Sequence, residues 1–550
     1  MRRIGKWCGL LLAICLCLSS AVACGKDKEE QTTPEYTVTY DVNGGVLTGP
    51  ASVKAKKGTT VTLPAAANSG YILDGWYAGE TLAGKAGEAY TVHGDVTLKA
   101  HWSKEQAPDL SGQYAAENRA RALEYAKLIR EKYWNADTQL SKLTPSGGKP
   151  FLWPYTEQVS MANAVFELLT PQDQDYEMFK AYLEQTLEGL RYYRVSDVRV
   201  EEGQSWNNDA HVLAAYGEND GTANSYAIYN SGRNDSAKDS VNAGMDGIFF
   251  DDNIWVAKEF YYAYRNLGDQ KYLNEAVNIV NWIIGEGYET TKGLNGIYWK
   301  WAAKFLHAGV TNDNLNASLN ACSSAPTGMM LVKLYNAMGE GDNVAKFAAV
   351  RNNYLSTARS LYNFLWNTLR DENDNILRDK IFVNKKGEDL VPGTVDQQKL
   401  PYNTGTYMTL GAELYNNAVQ TGNTAAAELY RTRNAQVADG SDRVFANTEA
   451  VKGQYSYNSN SWFTSFLLEG YIDLLPQDEN CKVYIEHMRS SLDYGWKNNR
   501  ADDGLVAPAW VVGWTAHPDM GPNSEGNGRQ ILLQSANAHC YAMLARHYAA

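Results

Sequence analysis

Phe249-Phe250-Asp251-Asp252-Asn253-Ile254-Trp255 places two adjacent carboxylates between apolar and aromatic side chains, where an amphipathic helix begins. Read alone, such a pair is an N-cap at Asp251 followed by a first-turn acid at Asp252. Its surroundings give it a second meaning. Two like charges side by side among apolar groups do not ionise equally, and one of them holds its proton more tightly. Glycoside hydrolysis requires that asymmetry, with one carboxylate as nucleophile and one carboxylic acid as proton donor. Neighbouring side chains can also bring their carboxyl groups to the roughly 5–5.5 Å separation of a retaining enzyme.

The helix opened by this stretch belongs to a series. From about Ala115 onward, apolar residues recur at spacings of three and four, and Gly, Asn, Asp and Pro separate the blocks. The blocks number about twelve, starting near residues 115, 155, 173, 251, 270, 316, 351, 402, 423, 459, 479 and 528. Strand signals are nearly absent in this region. Twelve helices with alternating short and long connections predict six helical hairpins closed into a ring. A tetratricopeptide solenoid is the competing all-α arrangement, but the unequal spacings and the lack of a fixed-period motif weigh against it.

Residues 36–102 read differently. Tyr36-Thr37-Val38-Thr39-Tyr40-Asp41-Val42 alternates with period two and runs into the turn signal Asn43-Gly44-Gly45. Further strands are expected at 60–63, 70–77 and 96–100. The segment resembles the Listeria–Bacteroides (internalin B type) repeat in Tyr40-Asp41-Val42-Asn43-Gly44-Gly45, in Gly75-Trp76-Tyr77 and in the closing Ala100-His101-Trp102. The resemblance implies a small β-grasp-like module. Residues 103–114 are expected as a linker, and 115–550 as the helical domain.

The first residues read as an export signal. Arg2, Arg3 and Lys6 form a charged start, Leu10 to Leu18 is an apolar stretch too short for a stable span, and Ala21-Val22-Ala23-Cys24-Gly25 resembles a bacterial lipobox. The expectation is cleavage after residue 23, lipidation of Cys24 and a flexible tether over 24–35, giving an extracytoplasmic protein lipid-anchored to a bacterial membrane at the cell surface. Gly25, rather than Asp, after the Cys fits release toward an outer membrane.

Composition limits the ligands. The formal net charge is −13, and loss of Arg2, Arg3 and Lys6 with the leader takes it to −16, which disfavours nucleic acid and anionic polymers. A neutral partner fits better, and the 36 Tyr and 15 Trp against 13 Phe suit a wet, aromatic-lined groove of the kind that holds sugars. Beyond the leader and Cys24, only Cys322, Cys481 and Cys540 remain, scattered and odd in number, so no disulfide framework or zinc site is expected. The eight histidines show no metal spacing either, and neither metal nor cofactor is called for. A monomer is expected.

Several helix starts carry polar and aromatic residues suited to a central cleft: Gly296-Ile297-Tyr298-Trp299, Asn320 to Pro326, and Tyr402-Asn403-Thr404-Gly405. Trp206-Asn207-Asn208-Asp209 and Asp502-Asp503-Gly504 read better as turns. In order and spacing, these blocks and Asp251-Asp252-Asn253-Ile254-Trp255 make residues 115–548 resemble glycoside hydrolase family 76, the endo-α-1,6-mannanases. The resemblance implies an (α/α)6 barrel, a retaining mechanism on α-mannan, Asp251 as nucleophile and Asp252 as acid/base. Trp255, Trp299, Asn320, Tyr402 and Asn403 are the expected substrate contacts. Two positions depart from the family: Phe250 where Tyr is usual, which puts a substrate contact in question, and Ile254 where Ala is more common. The competing functions are a non-catalytic glycan-binding surface lipoprotein and a different (α/α)6 enzyme. A sugar epimerase of that fold would need histidines in the cleft, and neither His211 nor His307 has a convincing context.

Overall fold

The computed structural model describes residues 34–47, 49–68, 71–104, 110–199, 226–244, 247–305, 317–386, 389–451, 454–507, 509–510 and 527–550. The leader, Cys24, the tether as far as residue 33, Trp206 to Asp209, His211 and His307 lie outside the described residues, and the end of the expected tether, Glu35, already belongs to a strand. The chain divides into two compact units, residues 1–109 and 110–550.

The first unit is built from strands. Its main sheet has five: β1 (Glu35–Asp41), β2 (Ser52–Lys56), β3 (Tyr71–Ala78), β4 (Thr81–Gly84) and β5 (Val96–Lys104), in the order β2-β1-β5-β3-β4. β1 and β5, first and last in sequence, run parallel at the centre, as in a β-grasp, with Val38 opposite Val96. Among the described residues of this unit there is no helix. The period-two pattern does what it predicts: Val38 and Tyr40 are buried in β1 while Thr39 and Asp41 face outward. Asn43 and Gly44 both have positive φ (45° and 93°), the backbone for which an Asn-Gly pair is suited. Trp76 is fully buried, edge-on to Tyr40 at 5.2 Å, and its indole donates to the Pro64 carbonyl.

The second unit is an (α/α)6 barrel. Its long helices are α1 (Ser111–Tyr133), α2 (Leu152–Phe166), α3 (Tyr176–Gly189), α4 (Phe250–Leu267), α5 (Gln270–Trp282), α6 (Ala321–Ala337), α7 (Ala348–Phe364), α8 (Pro401–Gln420), α9 (Thr424–Phe445), α10 (Ser461–Leu474), α11 (Cys481–Asn498) and α12 (Ile531–Ala549). The even-numbered helices pack one on the next, α2-α4-α6-α8-α10-α12, and α12 closes onto α2. The odd-numbered ones lie outside them. Closure of that ring excludes the solenoid.

The two layers differ in sequence for a physical reason. An outer helix needs one apolar stripe, and α1 buries Asn118, Ala122, Tyr125, Ala126, Ile129 and Tyr133 along one face. An inner helix is enclosed all round, and α12 is buried without a break from Ile531 to Ala545. Small residues let inner helices meet closely. A Cβ on Gly405 of α8 would sit 2.3 Å from the Phe466 backbone of α10, so Gly405 serves this contact rather than a turn.

Two expectations need correction. α1 begins at Ser111, inside the stretch expected as linker. Tyr114 anchors this first turn: its ring meets Tyr548 edge-on and the Arg489 guanidinium lies 3.9 Å from its centre. Strands are also present between the helices, notably β6 (Ser318–Asn320), β7 (Lys380–Lys386) and β8 (Asp389–Val395), which form one antiparallel sheet. They are short, and they bind the starts of inner helices together.

Candidate active site

The inner helices begin at one end of the barrel, and backbone hydrogen bonds stitch these beginnings into a belt. The Leu152 amide of α2 donates to the Ser231 carbonyl, and the Ser231 amide to that of Gly247. The Phe250 amide at the start of α4 donates to Trp299, and the Trp299 amide to Ser318 in β6. Asn320 of β6 pairs with Lys380 of β7, and the Ala321 amide at the start of α6 donates to the Asp379 carbonyl. Asn253 is the clamp of this belt. Its amide nitrogen donates to the carbonyls of Tyr229 and Phe249, and its oxygen accepts from the Tyr229 amide, each at 2.8 Å.

The belt surrounds a cavity of about 450 Å³. Asp251, Asp252, Trp255, Trp299, Asn320 and Tyr402 all line it, so one site gathers six side chains spread over more than 150 positions. Asn403 does not line it. It is fully buried behind the wall, where its amide donates to Asp379 at 3.0 Å. It is expected at the cavity as part of the helix start Tyr402-Asn403-Thr404-Gly405, but consecutive helical residues point about 100° apart, and of these two only Tyr402 lines the cavity. Phe250 also points away. It is fully buried, stacked on Trp282 at 4.7 Å and packed against Gly287. The hydroxyl missing there therefore touches nothing in the cavity; Phe249 lines it instead. Asp502-Asp503-Gly504 is a turn, with Gly504 at φ 86° and Asp503 paired to Arg529.

Asp251 and Asp252 lie in the first turn of α4, with Phe249, extended, as the residue before it. Asp251 is therefore not an N-cap. One of its oxygens accepts from the Trp299 indole at 2.9 Å and the other from the Asp252 amide at 3.0 Å. Burial raises its pKa to about 6, against the pull of these donors and of the Cys322 thiol. Asp252 is pushed up much further, by burial and then by the charge of Asp251, with only the Ser231 hydroxyl opposing. The pair titrates as one unit, and its proton resides on Asp252. Near neutral pH the floor of the cavity thus offers one carboxylate and one carboxylic acid.

Aromatic rings make the walls. Trp255 leans on Phe466 at 4.8 Å, and Tyr402 stacks on Phe463 at 4.7 Å with 15° between the planes. Asn320 accepts from Ser318 at 2.6 Å. Several lining residues had not been anticipated: Phe151, Trp153, Ser231, Asp379, Lys380, Leu400, Trp462 and Phe463. Trp153 and Trp462 had a signal, an aromatic residue at the second position of an inner block, as Tyr402 is in α8. Asp379 had none; within Arg378-Asp379-Lys380 it reads as a charged loop. In the fold its carboxylate is held by Asn403 and lies 3.3 Å from Lys380. Among the described lining residues there is no histidine, and among all described residues no cluster suited to a metal ion.

Comparison with known proteins follows the division into two units. Residues 36–101 match the family model of the Listeria–Bacteroides repeat domain. No curated protein matches the chain by sequence. The barrel resembles solved structures. A family 76 glycoside hydrolase from a bovine Bacteroides thetaiotaomicron strain is 19% identical, with 84% of this chain and 83% of that one covered and a TM-score of 0.58. An α-1,6-mannanase of Salegentibacter sp. HEL1_6, solved with α-1,6-mannotriose as an inactive variant in which two consecutive aspartates are asparagine, is 16% identical over 78% of this chain and 99% of that one, TM-score 0.50. The cellobiose 2-epimerase of Bacillus thermoamylovorans B4167 is 12% identical over 79% and 100%, TM-score 0.50. The shared feature is the barrel, which carries more than one chemistry, so function has to be argued from the site.

Proposed function

We propose that residues 110–550 are an endo-acting, retaining hydrolase of α-1,6-linked mannan, of the glycoside hydrolase family 76 type, with Asp251 as nucleophile and Asp252 as acid/base. The observation that carries this reading is the pair itself. Two consecutive carboxyl groups at the floor of an aromatic cavity differ sharply in proton affinity, which is the division of labour that double displacement needs. The Salegentibacter mannanase supports it, because replacing two consecutive aspartates gives a variant described as inactive that still holds α-1,6-mannotriose.

In the first step, Asp251 attacks the anomeric carbon of a mannosyl unit. The glycosidic C–O bond breaks as Asp252 passes its proton to the departing oxygen. In the second, Asp252, now a carboxylate, takes a proton from water; the water oxygen attacks the same carbon, and the ester to Asp251 breaks. The Trp299 indole and the Asp252 amide hold the Asp251 carboxylate in line throughout. Trp255, Trp299 and Tyr402 wall the sugar, and Asn320 presents an amide to its hydroxyls. Asn403 acts only through Asp379. We further propose a monomer tethered outside the cell by lipid on Cys24.

A reducing-sugar assay on α-1,6-mannan, with Asp251→Asn as control, tests the activity. An activated aryl α-mannoside with added azide tests the roles. Asp252→Asn is expected to form the ester and to be restarted by azide, giving an α-mannosyl azide of retained configuration. Asp251→Asn cannot form that ester. Substantial mannan hydrolysis by both variants would remove the pair from the chemistry.

A further inference from the structure

Beneath the aromatic wall lies a carboxylate that the proposed mechanism does not use. Glu157 is on α2, one turn beyond Trp153, and is only 3% exposed inside the barrel. An enclosed carboxylate is costly unless it is paired, and an apolar residue of similar size would serve packing as well. Both of its oxygens are engaged by other inner helices. Oε2 accepts from the Trp462 indole of α10 at 3.1 Å, and Oε1 lies 3.0 Å from His539 Nδ1 of α12. Lys258 of α4, also enclosed, is a positive charge that Glu157 shares with Glu259 and Glu469.

Trp462 is the hub of the wall. It meets Trp153, Trp255, Tyr402, Phe463 and Phe466 with ring centres 4.9 to 5.7 Å apart. These five rings pack around the indole, and its N–H adds a directed polar contact, to Glu157, which favours a single orientation of the ring plane. A sugar face stacks on a ring only when that plane is presented to it.

We propose that Glu157 is a positioning residue for substrate: held by His539, it fixes the indole of Trp462 and thereby the plane on which a sugar stacks. This rests on the glycosidase reading of the cavity. The chemical pair is untouched by it, so the effect belongs in binding rather than in turnover.

The test is a double-mutant cycle between Glu157→Gln, which keeps the shape and removes the charge, and Trp462→Phe, which removes the donor. With α-1,6-mannotetraose, Glu157→Gln is expected to raise KM about fivefold, with kcat within about twofold, as for exchange of a charge-assisted hydrogen bond for a neutral one whose acceptor is the Gln oxygen. In the Trp462→Phe background the same change should alter KM by less than about twofold. Equal factors in the two backgrounds would mean that Glu157 only cements the barrel, and would overturn the proposal, as would an unchanged KM in the folded single variant. If Glu157→Gln does not fold, His539→Asn takes its place in the cycle, with the same expectations. A wild-type protein that leaves α-1,6-mannan and its oligosaccharides intact would overturn the glycosidase reading instead. The link from Glu157 is then read from hydrogen exchange of the Trp462 indole proton, assigned with Trp462→Phe: it should be protected in the wild type and exchange about fivefold faster in Glu157→Gln, where the bond is neutral, and equal rates would refute it.

Discussion

Replacing Asp251 by Asn should destroy activity and stabilise the fold, and the gain should depend on pH in a calculable way. The folded pKa of Asp251, about 6, lies above its ordinary 3.8. Folding therefore favours the protonated form. That stabilisation is complete below about pH 3.8 and is lost as the pH rises through about 6. The difference between the two values, at about 1.4 kcal/mol per unit, makes the ionised carboxylate cost about 3 kcal/mol above pH 6. Asparagine carries no such charge and keeps an oxygen to accept from Trp299 or from the Asp252 amide. At about 2.1 cal/mol/K of unfolding entropy per residue, a barrel spanning residues 110–550 gains about 1 °C in Tm per kcal/mol, or about 3 °C in all. Calorimetric scans of wild type and Asp251→Asn at pH 7.5 and pH 4 would measure it. The variant should melt higher at pH 7.5, and the gap should shrink toward zero at pH 4. A variant that is less stable at pH 7.5, or a gap that ignores pH, would show that burial does not strain this carboxylate and would remove the basis for the unequal pair.

Other expectations follow from single contacts. Trp299→Phe removes the 2.9 Å donor to Asp251, so the acidic limb of kcat/KM should move upward from about pH 6 by about 1 unit; a limb that stays in place would mean that the indole does not support the charge. Gly405→Ala forces a methyl group to 2.3 Å from the Phe466 backbone and should lower Tm by several degrees or prevent folding; an unchanged Tm would contradict the tight α8–α10 contact. Deleting residues 24–104 should leave hydrolysis of soluble mannan nearly intact, since the cavity is built wholly from residues after 110, and lost activity in a folded truncation would refute that.

The twelve helices were legible because each carries a spacing of three and four, and because the turn residues between them are strong stops. The module was legible from alternation in Tyr36 to Val42 and from Asn43-Gly44. What escaped depends on contacts between distant segments. Asp379 enters the cavity only because β7 pairs with β6, and a three-strand sheet inserted between helices leaves little periodic trace. The inward face of a helix start is not legible, which is why Asn403 is expected at the cavity and the contact at Phe250 is in question: the rotation that chooses which residue faces inward is set by packing, here by Trp282 and Gly287 around Phe250. The early start of α1 has a similar origin, since Ser111-Gly112-Gln113 is a poor helix opening that Tyr114 holds from a distance through Tyr548.

The common direction of the inner helices has an electrostatic consequence. Side chains from the starts of α2, α4, α6, α8 and α10 line the cavity, and Leu532 and Leu533 of α12 pack behind its wall. Each helix brings roughly half a positive elementary charge to its N-terminal end, so these helix dipoles converge on the place where a sugar would react. A transition state with oxocarbenium character carries positive charge and is disfavoured by that field. The same field favours a carboxylate, and Asp251, the ionised member of the pair, stands in it. A barrel of this geometry thus draws negative charge to its mouth, and the bound sugar meets a positive framework that has been overwritten, at the reacting carbon, by the carboxylate it attracted.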